Sequence, residues 1–276
     1  MSAEVESLPT DARRAIAAWL EDPIFELIPL PGVMDQARHL PSGARVSITA
    51  SPTRSLDESI DLAGELIAAG FRTTPHLSAA MVRDGAHLQR LLTRMSDIGV
   101  TSAFVVGGDG EPTGPFGDGL ALLKEMEAVG HSLELGIPCY PEGHPQISED
   151  VLEDALLSKR PYASWMTSQM CFDASSLSEW TQATRRRGVD LPLVLGMAGV
   201  ADRLKLMQIS ARIGVGRSLA FLRKNAGLVS AFVKPGGYDP GEFLMDLGEL
   251  SVHQRLDVAG CHIYTFNQCE TTEEWR

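Results

Sequence analysis

Short apolar runs alternate with longer amphipathic segments along this chain of 276 residues. The runs are rich in Val, Ile, Leu and Phe, which is typical of strands in a buried sheet. Eight of them predict β-strands, over 24–28, 45–49, 72–77, 101–106, 133–138, 163–169, 192–196 and 258–265. Most recur at intervals of about 25 to 35 residues, the length of a βα unit, so the pattern predicts a parallel sheet.

Between the strands, apolar positions recur at the 3.6-residue period of a helix. Two capping boxes, Ser55 with Glu58 and Ser176 with Glu179, mark helix starts. Helices are predicted over 11–20, 56–70, 84–98, 117–129, 148–158 and 176–188, with glycine near most of their ends. The connection after the seventh strand is longer and adds two predicted helical segments, 201–213 and 214–225, before a last helix.

The eight units predict a single (β/α)8 TIM barrel over 1–276, since such barrels are about 250 residues long. It would carry an extra N-terminal helix within 1–22, extra helices between strands seven and eight, and a loose acidic tail over 268–276. An open doubly wound sheet is the alternative. No GxGxxG motif follows the first strand, and polar residues end several different strands, so the barrel is favoured.

Charge and composition narrow the class of partner. The chain has 24 Lys and Arg against 36 Asp and Glu, which disfavours nucleic acid because its binding depends on phosphate neutralisation. No apolar run reaches the roughly 18 residues of a membrane span, and the acidic, polar start is unlike a secretory signal. A cytoplasmic location and a small-molecule partner are therefore expected. The four cysteines lack the CxxC spacing that would predict a metal site. A homo-oligomer is left open.

Polar residues stand at the C-terminal ends of successive predicted strands, and in a (β/α)8 barrel those ends together form the active site. They are Glu26, Thr49, His76, Asp109, Tyr140, His144 and Gln169. Partial desolvation at a strand end favours the protonated form of a carboxyl group, so Glu26 is a candidate general acid. Structural alternatives stay open: a salt bridge for Glu26, a turn cap for Asp109 and a core position for His76.

Two further groups of residues stand apart from this series. Arg217, Arg223 and Lys224 form a basic cluster beside a glycine-rich helix start, which suits a phosphate or carboxylate. A solvated helix face is the alternative for that cluster. His262 and Tyr264, on the last predicted strand, are interpreted mainly as residues that close the barrel.

Short segments spread over nearly the whole chain resemble the methylenetetrahydrofolate reductase family. They are Phe25-Glu26, Val46 to Thr49, Pro75-His76-Leu77, Gly108-Asp109, Tyr140-Pro141-Glu142-x-His144-Pro145, Gln169-x-x-Phe172-Asp173, Pro192 to Gly196 and His262-x-Tyr264-Thr265-x-Asn267. Each is weak alone, but together they occur in the right order at the right strand ends. The resemblance implies a (β/α)8 barrel that reduces 5,10-methylenetetrahydrofolate to 5-methyltetrahydrofolate with NADH or NADPH, in one-carbon metabolism and methionine biosynthesis.

The resemblance also implies a role for most of these residues. Glu26 would protonate a nitrogen of the folate, and Asp109 would lie near the reacting rings. The pterin would be held by Gln169 and Asp109, with Phe221 near an expected aromatic position. The cofactor would be contacted by Thr49, His76, Tyr140 and His144, and the basic cluster at Arg217 would meet an anionic group.

FAD is implied by the resemblance, but two positions depart from the family pattern. Relatives commonly carry arginine two positions before the aspartate, where this chain has Gly107. The lysine expected at the flavin phosphate aligns only loosely, with Lys159. Direct hydride transfer from NADH is therefore kept as an alternative to a flavoprotein. A folate-binding barrel without turnover and another flavin-barrel oxidoreductase, similar to proline dehydrogenase, are the rival functions.

Overall fold

A computed structural model describes residues 6–51, 54–108, 110–144, 146–200 and 240–276. Eight parallel strands close into a barrel in the order of the chain. They are β1 (Ile24–Leu27), β2 (Arg45–Ile48), β3 (Arg72–Ser78), β4 (Ser102–Val106), β5 (Glu134–Cys139), β6 (Trp165–Ser168), β7 (Leu193–Ala198) and β8 (Val258–Tyr264). This closed order confirms the predicted (β/α)8 fold. The sequence pattern suits the fold because short apolar strands that alternate with amphipathic helices bury both faces of a parallel sheet.

Helices surround the barrel. Those in the described ranges are α1 (Thr10–Glu21), α2 (Val33–Ala37), α3 (Leu56–Ala68), α4 (Gly85–Asp97), α5 (Gly119–Val129), α6 (Glu149–Lys159), α7 (Ala174–Arg186), α8 (Gly241–His253) and α9 (Cys269–Trp275). The capping box of Ser55 and Glu58 opens α3 as predicted. The helical segments predicted over 201–213 and 214–225 lie outside the described residues.

Two features of the helices depart most from the sequence-based expectation. The start predicted at Ser176 is wrong, because Asp173 caps α7 and its Oδ1 accepts hydrogen bonds from the backbone N–H groups of Ser175 and Ser176. Asp173 therefore occupies the N-cap position that was predicted for Ser176. The C-terminal residues are not a loose tail, since they form α9, in which Cys269 and Thr272 are buried.

The first and last strands close the barrel side by side. Glu26 pairs in register with Ser47 of β2 on one side and with Tyr264 of β8 on the other. Just beyond β8, the Thr265 hydroxyl donates to the backbone oxygen of Glu26, and the Asn267 amide exchanges two hydrogen bonds of 2.9 Å with the backbone of Ile28. These contacts hold β1 firmly, and β1 carries the candidate acid.

Residues on successive strand positions serve two different environments, since side chains alternate between the faces of a strand. Phe25, Leu27, Val46 and Ile48 belong to the main apolar core with the helices. The residues between them, including Glu26, contact side chains from other strands inside the barrel. Barrel interiors are usually filled by branched aliphatic residues, whereas Glu26, Ser47, His76 and His262 make part of this one polar.

Glycines make room for aromatic rings and backbone inside this barrel. A methyl group at Gly136 on β5 would lie 2.3 Å from the indole of Trp165 on β6. A methyl group at Gly196 on β7 would lie 2.0 Å from the backbone oxygen of Ser168. The absence of a side chain at these two positions lets neighbouring strands and rings approach closely.

Candidate active site

Glu26 is the centre of a buried polar group inside the barrel. Its Oε2 lies 3.1 Å from Nε2 of His262 and 3.9 Å from Nε2 of His76. The Glu26 side chain is 12% exposed, whereas those of the two histidines are 4% and 9% exposed. The carboxyl group therefore lies at the border between the packed interior and the open end of the barrel.

His262 is the neighbour of Glu26 that the sequence did not identify. It was expected mainly to close the barrel, yet its Nε2 lies within hydrogen-bond distance of Glu26 and 3.4 Å from the Ser47 hydroxyl. Its ring also contacts that of Tyr264, with centroids 5.0 Å apart. The sequence did contain a signal for this contact, because side chains alternate between the two faces of a strand. His262 and Tyr264 share one face of the strand that must pair with β1 if eight strands close into a barrel.

His76 lies deeper in the polar group around Glu26 than expected for a residue that contacts a cofactor at the rim. Its ring packs against Phe104, with centroids 4.9 Å apart, and the residue is 8% exposed. Burial lowers the pKa of His76 to about 4, although the nearby carboxyl group of Glu26 opposes this effect. The ring is therefore neutral near pH 7. Its Nε2 is buried and has no hydrogen-bond partner among the described residues.

The loop after β5 brings Tyr140 and His144 together. Their rings meet edge to face, with centroids 5.4 Å apart. Nδ1 of His144 accepts a hydrogen bond from the N–H of Gln146, which leaves Nε2 as the donor of a neutral ring. Thr49, after β2, donates from its hydroxyl to the backbone oxygen of Leu27 at 3.4 Å. Thr49 follows β2 and the other two residues follow β5, so all three lie at the C-terminal ends of their strands.

Gln169 follows β6, and the oxygen of its side-chain amide already accepts a hydrogen bond. Its Oε1 accepts the N–H of Met170 at 2.9 Å, and its own N–H donates to the backbone oxygen of Cys139 at 2.8 Å. No described residue accepts a hydrogen bond from Gln169 Nε2. The amide NH2 group is thus the part that remains for a ligand with an acceptor atom.

Three predicted site residues, Asp109, Arg217 and Phe221, lie outside the described residues. The structure does describe the two residues that come just before Asp109. Gly108 has a φ of 92°, and a methyl group there would lie 2.0 Å from the Ser78 hydroxyl. The backbone oxygen of Gly107 accepts the N–H of Ala80 at 2.9 Å. The loop after β4 is therefore tied closely to the end of β3 just before Asp109.

The charges of the rim loops bear on the cofactor. The loops 107–118, 140–148 and 169–173, after β4, β5 and β6, contain no Lys or Arg, and they carry several carboxylates. Lys159 is the last residue of α6, and burial lowers the pKa of its ammonium group, although the nearby Asp118 carboxylate and Cys139 thiol oppose this effect. The diphosphate of FAD needs cationic or N–H partners. These three loops themselves offer no cationic side chain to such a diphosphate.

Within the described parts of the chain, no three His, Cys, Asp or Glu side chains lie close enough to hold a metal ion. No described helix has the length and apolar character to cross a membrane.

Sequence comparison matches one protein family. The family is described as methylenetetrahydrofolate reductase, and the match covers residues 33–217, about two thirds of the chain. Those residues include β2 to β7 and therefore most of the barrel rim.

Solved structures of similar fold share little sequence with this chain. The spore cortex-lytic enzyme SleL of Bacillus cereus is 9% identical, with a TM-score of 0.51, over 92% of this chain and 73% of that one. The sialic acid aldolase of Ruminococcus gnavus is 11% identical, with a TM-score of 0.43, over 71% of this chain and 66% of that one. The likeness to SleL concerns the fold alone.

Proposed function

This chain belongs to the methylenetetrahydrofolate reductase family, and from that premise we propose that it reduces 5,10-methylenetetrahydrofolate to 5-methyltetrahydrofolate with NADH or NADPH. The observation that carries the proposal is the carboxyl group of Glu26, held at the barrel mouth 3.1 Å from His262. Burying a carboxyl group costs free energy. A barrel that only bound folate would have no need of it.

The reaction needs a proton before it needs a hydride. The methylene carbon bridges two nitrogens, and one of these must be protonated before the bridge opens to an iminium ion. Glu26 donates that proton. A bound NADH or NADPH would supply the hydride that converts the iminium carbon to the methyl group. Each turnover consumes one reduced nicotinamide and one proton, and Glu26 is reprotonated from solvent before the next.

His262 orients the acid for this step. Its Nε2 holds Oε2 of Glu26, and Ser47 approaches the same nitrogen at 3.4 Å. Oε1 of Glu26 has no hydrogen bond to any described residue, so Oε1 is the oxygen assigned to the proton transfer. His76 is neutral near pH 7 because burial lowers its pKa to about 4. It therefore shapes the pocket without adding a positive charge beside the acid.

The folate would lie between the acid and the loop after β6. Gln169 offers its amide NH2 group, since Oε1 already accepts the N–H of Met170. Acceptor atoms on the edge of a pterin ring suit such a donor. Asp109 and Phe221 complete the proposed folate contacts by their positions in the family pattern. Tetrahydrofolate derivatives are thus the proposed small-molecule partner.

The reductant would lie along the rim formed by Thr49, Tyr140 and His144, with Arg217 near an anionic group. Hydride passes directly from NAD(P)H in this proposal, and no step is assigned to FAD. The support is the charge of the rim: the loops after β4, β5 and β6 lack Lys and Arg. The segment 201–239 has the opposite balance, with seven Lys and Arg against Asp202 and Asp239.

The proposed product carries a methyl group at the oxidation level used in methionine biosynthesis. We therefore propose a cytoplasmic enzyme of one-carbon metabolism. The family membership and the folate chemistry support this role together.

The test is a reductase assay on purified protein. NADH and NADPH are each followed by their absorbance, with and without 5,10-methylenetetrahydrofolate, and the product is identified by mass. Parallel reactions with added FAD separate direct transfer from a flavoprotein. We expect folate-dependent oxidation without FAD. Folate binding with no oxidation under any condition would instead identify a non-catalytic binding barrel, and proline-dependent flavin reduction would favour the other rival.

A further inference from the structure

We infer that Glu142 is a positioning residue, which fixes the loop after β5 against the loop after β6 and so sets the reductant side of the site against the folate side. This inference rests on the proposed function, because the residues that it aligns are Tyr140, His144 and Gln169. Glu142 belongs to the same short motif as Tyr140 and His144. The proposed reaction assigns no chemical step to it.

The loop after β5 turns sharply at Glu142. The backbone oxygen of Tyr140 accepts the N–H of Gly143 at 3.0 Å, so Pro141 and Glu142 are the central residues of a β-turn. Proline suits the first central position because its φ is fixed. Gly143, with a φ of 80°, then turns the chain toward His144. The direction of the Glu142 side chain is therefore set by a stiff backbone.

The Glu142 carboxyl group reaches the start of α7. Its Oε1 accepts two backbone hydrogen bonds, from the N–H of Phe172 at 2.7 Å and from the N–H of Asp173 at 3.0 Å. Asp173 is the N-cap of α7. The loop after β6 is thus pinned at its far end by a side chain from the loop after β5, beyond the backbone bond from Gln169 to Cys139 that joins the two strand ends.

This contact is buried and incompletely satisfied. Glu142 is 5% exposed, and its Oε2 has no hydrogen-bond partner among the described residues. Burial raises the pKa of Glu142 to about 7, although the two N–H donors oppose the shift, and the nearby Asp173 carboxylate adds to it. Burial raises the pKa of the Cys171 thiol, and the nearby Glu142 carboxylate adds to the rise. A simple surface turn would not require a carboxyl group at this cost.

The position of Glu142 explains what it could control. Tyr140 and His144 lie two residues to either side of it, and Gln169 lies three residues before Phe172. A shift of either loop would change the distance between the reductant and the pterin. Misplacement of reacting groups by about 1 Å can cost roughly a hundredfold in rate. Loss of Glu142 should therefore lower kcat more than it changes either KM.

The experiment compares Glu142→Ala, Glu142→Gln and the control Glu179→Gln, which removes an exposed carboxylate from α7. Hydrogen exchange of peptides covering 140–148 and 169–176 is measured without ligands. We expect exchange in both segments to rise roughly fivefold or more in Glu142→Ala, because two hydrogen bonds are lost. Glu142→Gln keeps an acceptor oxygen, so it should show a smaller rise and should fold even if the alanine variant does not.

Steady-state kinetics complete the test. We expect kcat to fall about tenfold or more in Glu142→Ala and less in Glu142→Gln, with both KM values changing less than kcat. Unchanged exchange in both segments for both variants, or unchanged kcat with only a lower melting temperature, would overturn the inference. If the wild type turned over no folate but exchange still rose in the Glu142 variants, the proposed function would be rejected. The role of Glu142 in fixing the two loops would still be supported.

Discussion

Glu26 and His262 lie 236 residues apart in the sequence, yet their side chains meet at 3.1 Å inside the barrel. The contact exists because β8 returns to pair with β1. The first strand thus carries the proposed acid, and the last of the eight strands carries the group proposed to orient it. Much of what can be tested follows from this pair.

Replacing Glu26 with glutamine should remove the proton donor and keep the shape of the side chain. We expect kcat to fall by roughly a hundredfold or more, the scale of lost general acid catalysis. Folate affinity, measured by titration, should change little. The matched control is Glu134→Gln, at the exposed start of β5. Turnover near that of the wild type would mean that Glu26 is structural.

Replacing His262 with alanine should leave both Glu26 and Ser47 without a partner. We expect unfolding by urea to reveal a loss of about 1–3 kcal/mol, since a buried polar group without a hydrogen bond carries that penalty. Turnover should fall about tenfold. If the two residues act as a unit, the double variant Glu26→Gln with His262→Ala should be no slower than Glu26→Gln alone. If the losses in kcat of the two single variants added in the double variant, the two residues would act independently. His39→Ala, at a half-exposed position, is the control.

His76 should make stability depend on acidity. Because its pKa falls from 6.5 to about 4 on folding, the native protein holds fewer protons than the unfolded chain between these values. Its contribution to stability is therefore present above pH 6.5 and is lost as the pH falls toward 4. The size is up to about 3 kcal/mol. His76→Gln should flatten this dependence in urea unfolding at pH 7 and pH 5. An unchanged slope would contradict the buried, neutral ring.

Gly196 should not tolerate even one added carbon. A methyl group there would lie 2.0 Å from the backbone oxygen of Ser168, and backbone cannot move aside as a flexible side chain can. We expect Gly196→Ala to lower the free energy of unfolding by about 1–3 kcal/mol. Gly117→Ala is the control, because nothing lies within 4 Å of the added carbon. Equal stability of both variants in chemical denaturation would show that β6 and β7 can separate at this point.

The strands could be predicted from the sequence because their signal is local. Apolar runs and capping residues lie within a few positions of one another, and no strand boundary moved by more than two residues from its prediction. The placement of Glu26, Thr49 and Gln169 at or just after the C-terminal ends of their strands was likewise predicted from these local runs. The start of α7 was misplaced because Asp173 and Ser176 are both good caps, and only the folded loop decides between them.

The partners of these residues could not be read in the same way. His262 was assigned to barrel closure because its neighbours on β1 are remote in sequence. Likewise, nothing local indicates that Glu142 reaches Phe172 and Asp173, since that contact depends on two loops meeting at the rim. Sequence patterns thus identify which side chains reach the rim, whereas the pairings between them follow from three-dimensional closure.

The pairing of the first strand with the last has a consequence for how the protein is made. A ribosome releases β1 long before β8, so the growing chain carries Glu26 without His262, Thr265 or Asn267 until β8 and the residues after it emerge. A chain that stops before β8 would therefore contain Glu26 and the rim residues of β2 to β7 and still lack the group proposed to orient the acid. Activity would then report that synthesis had passed β8.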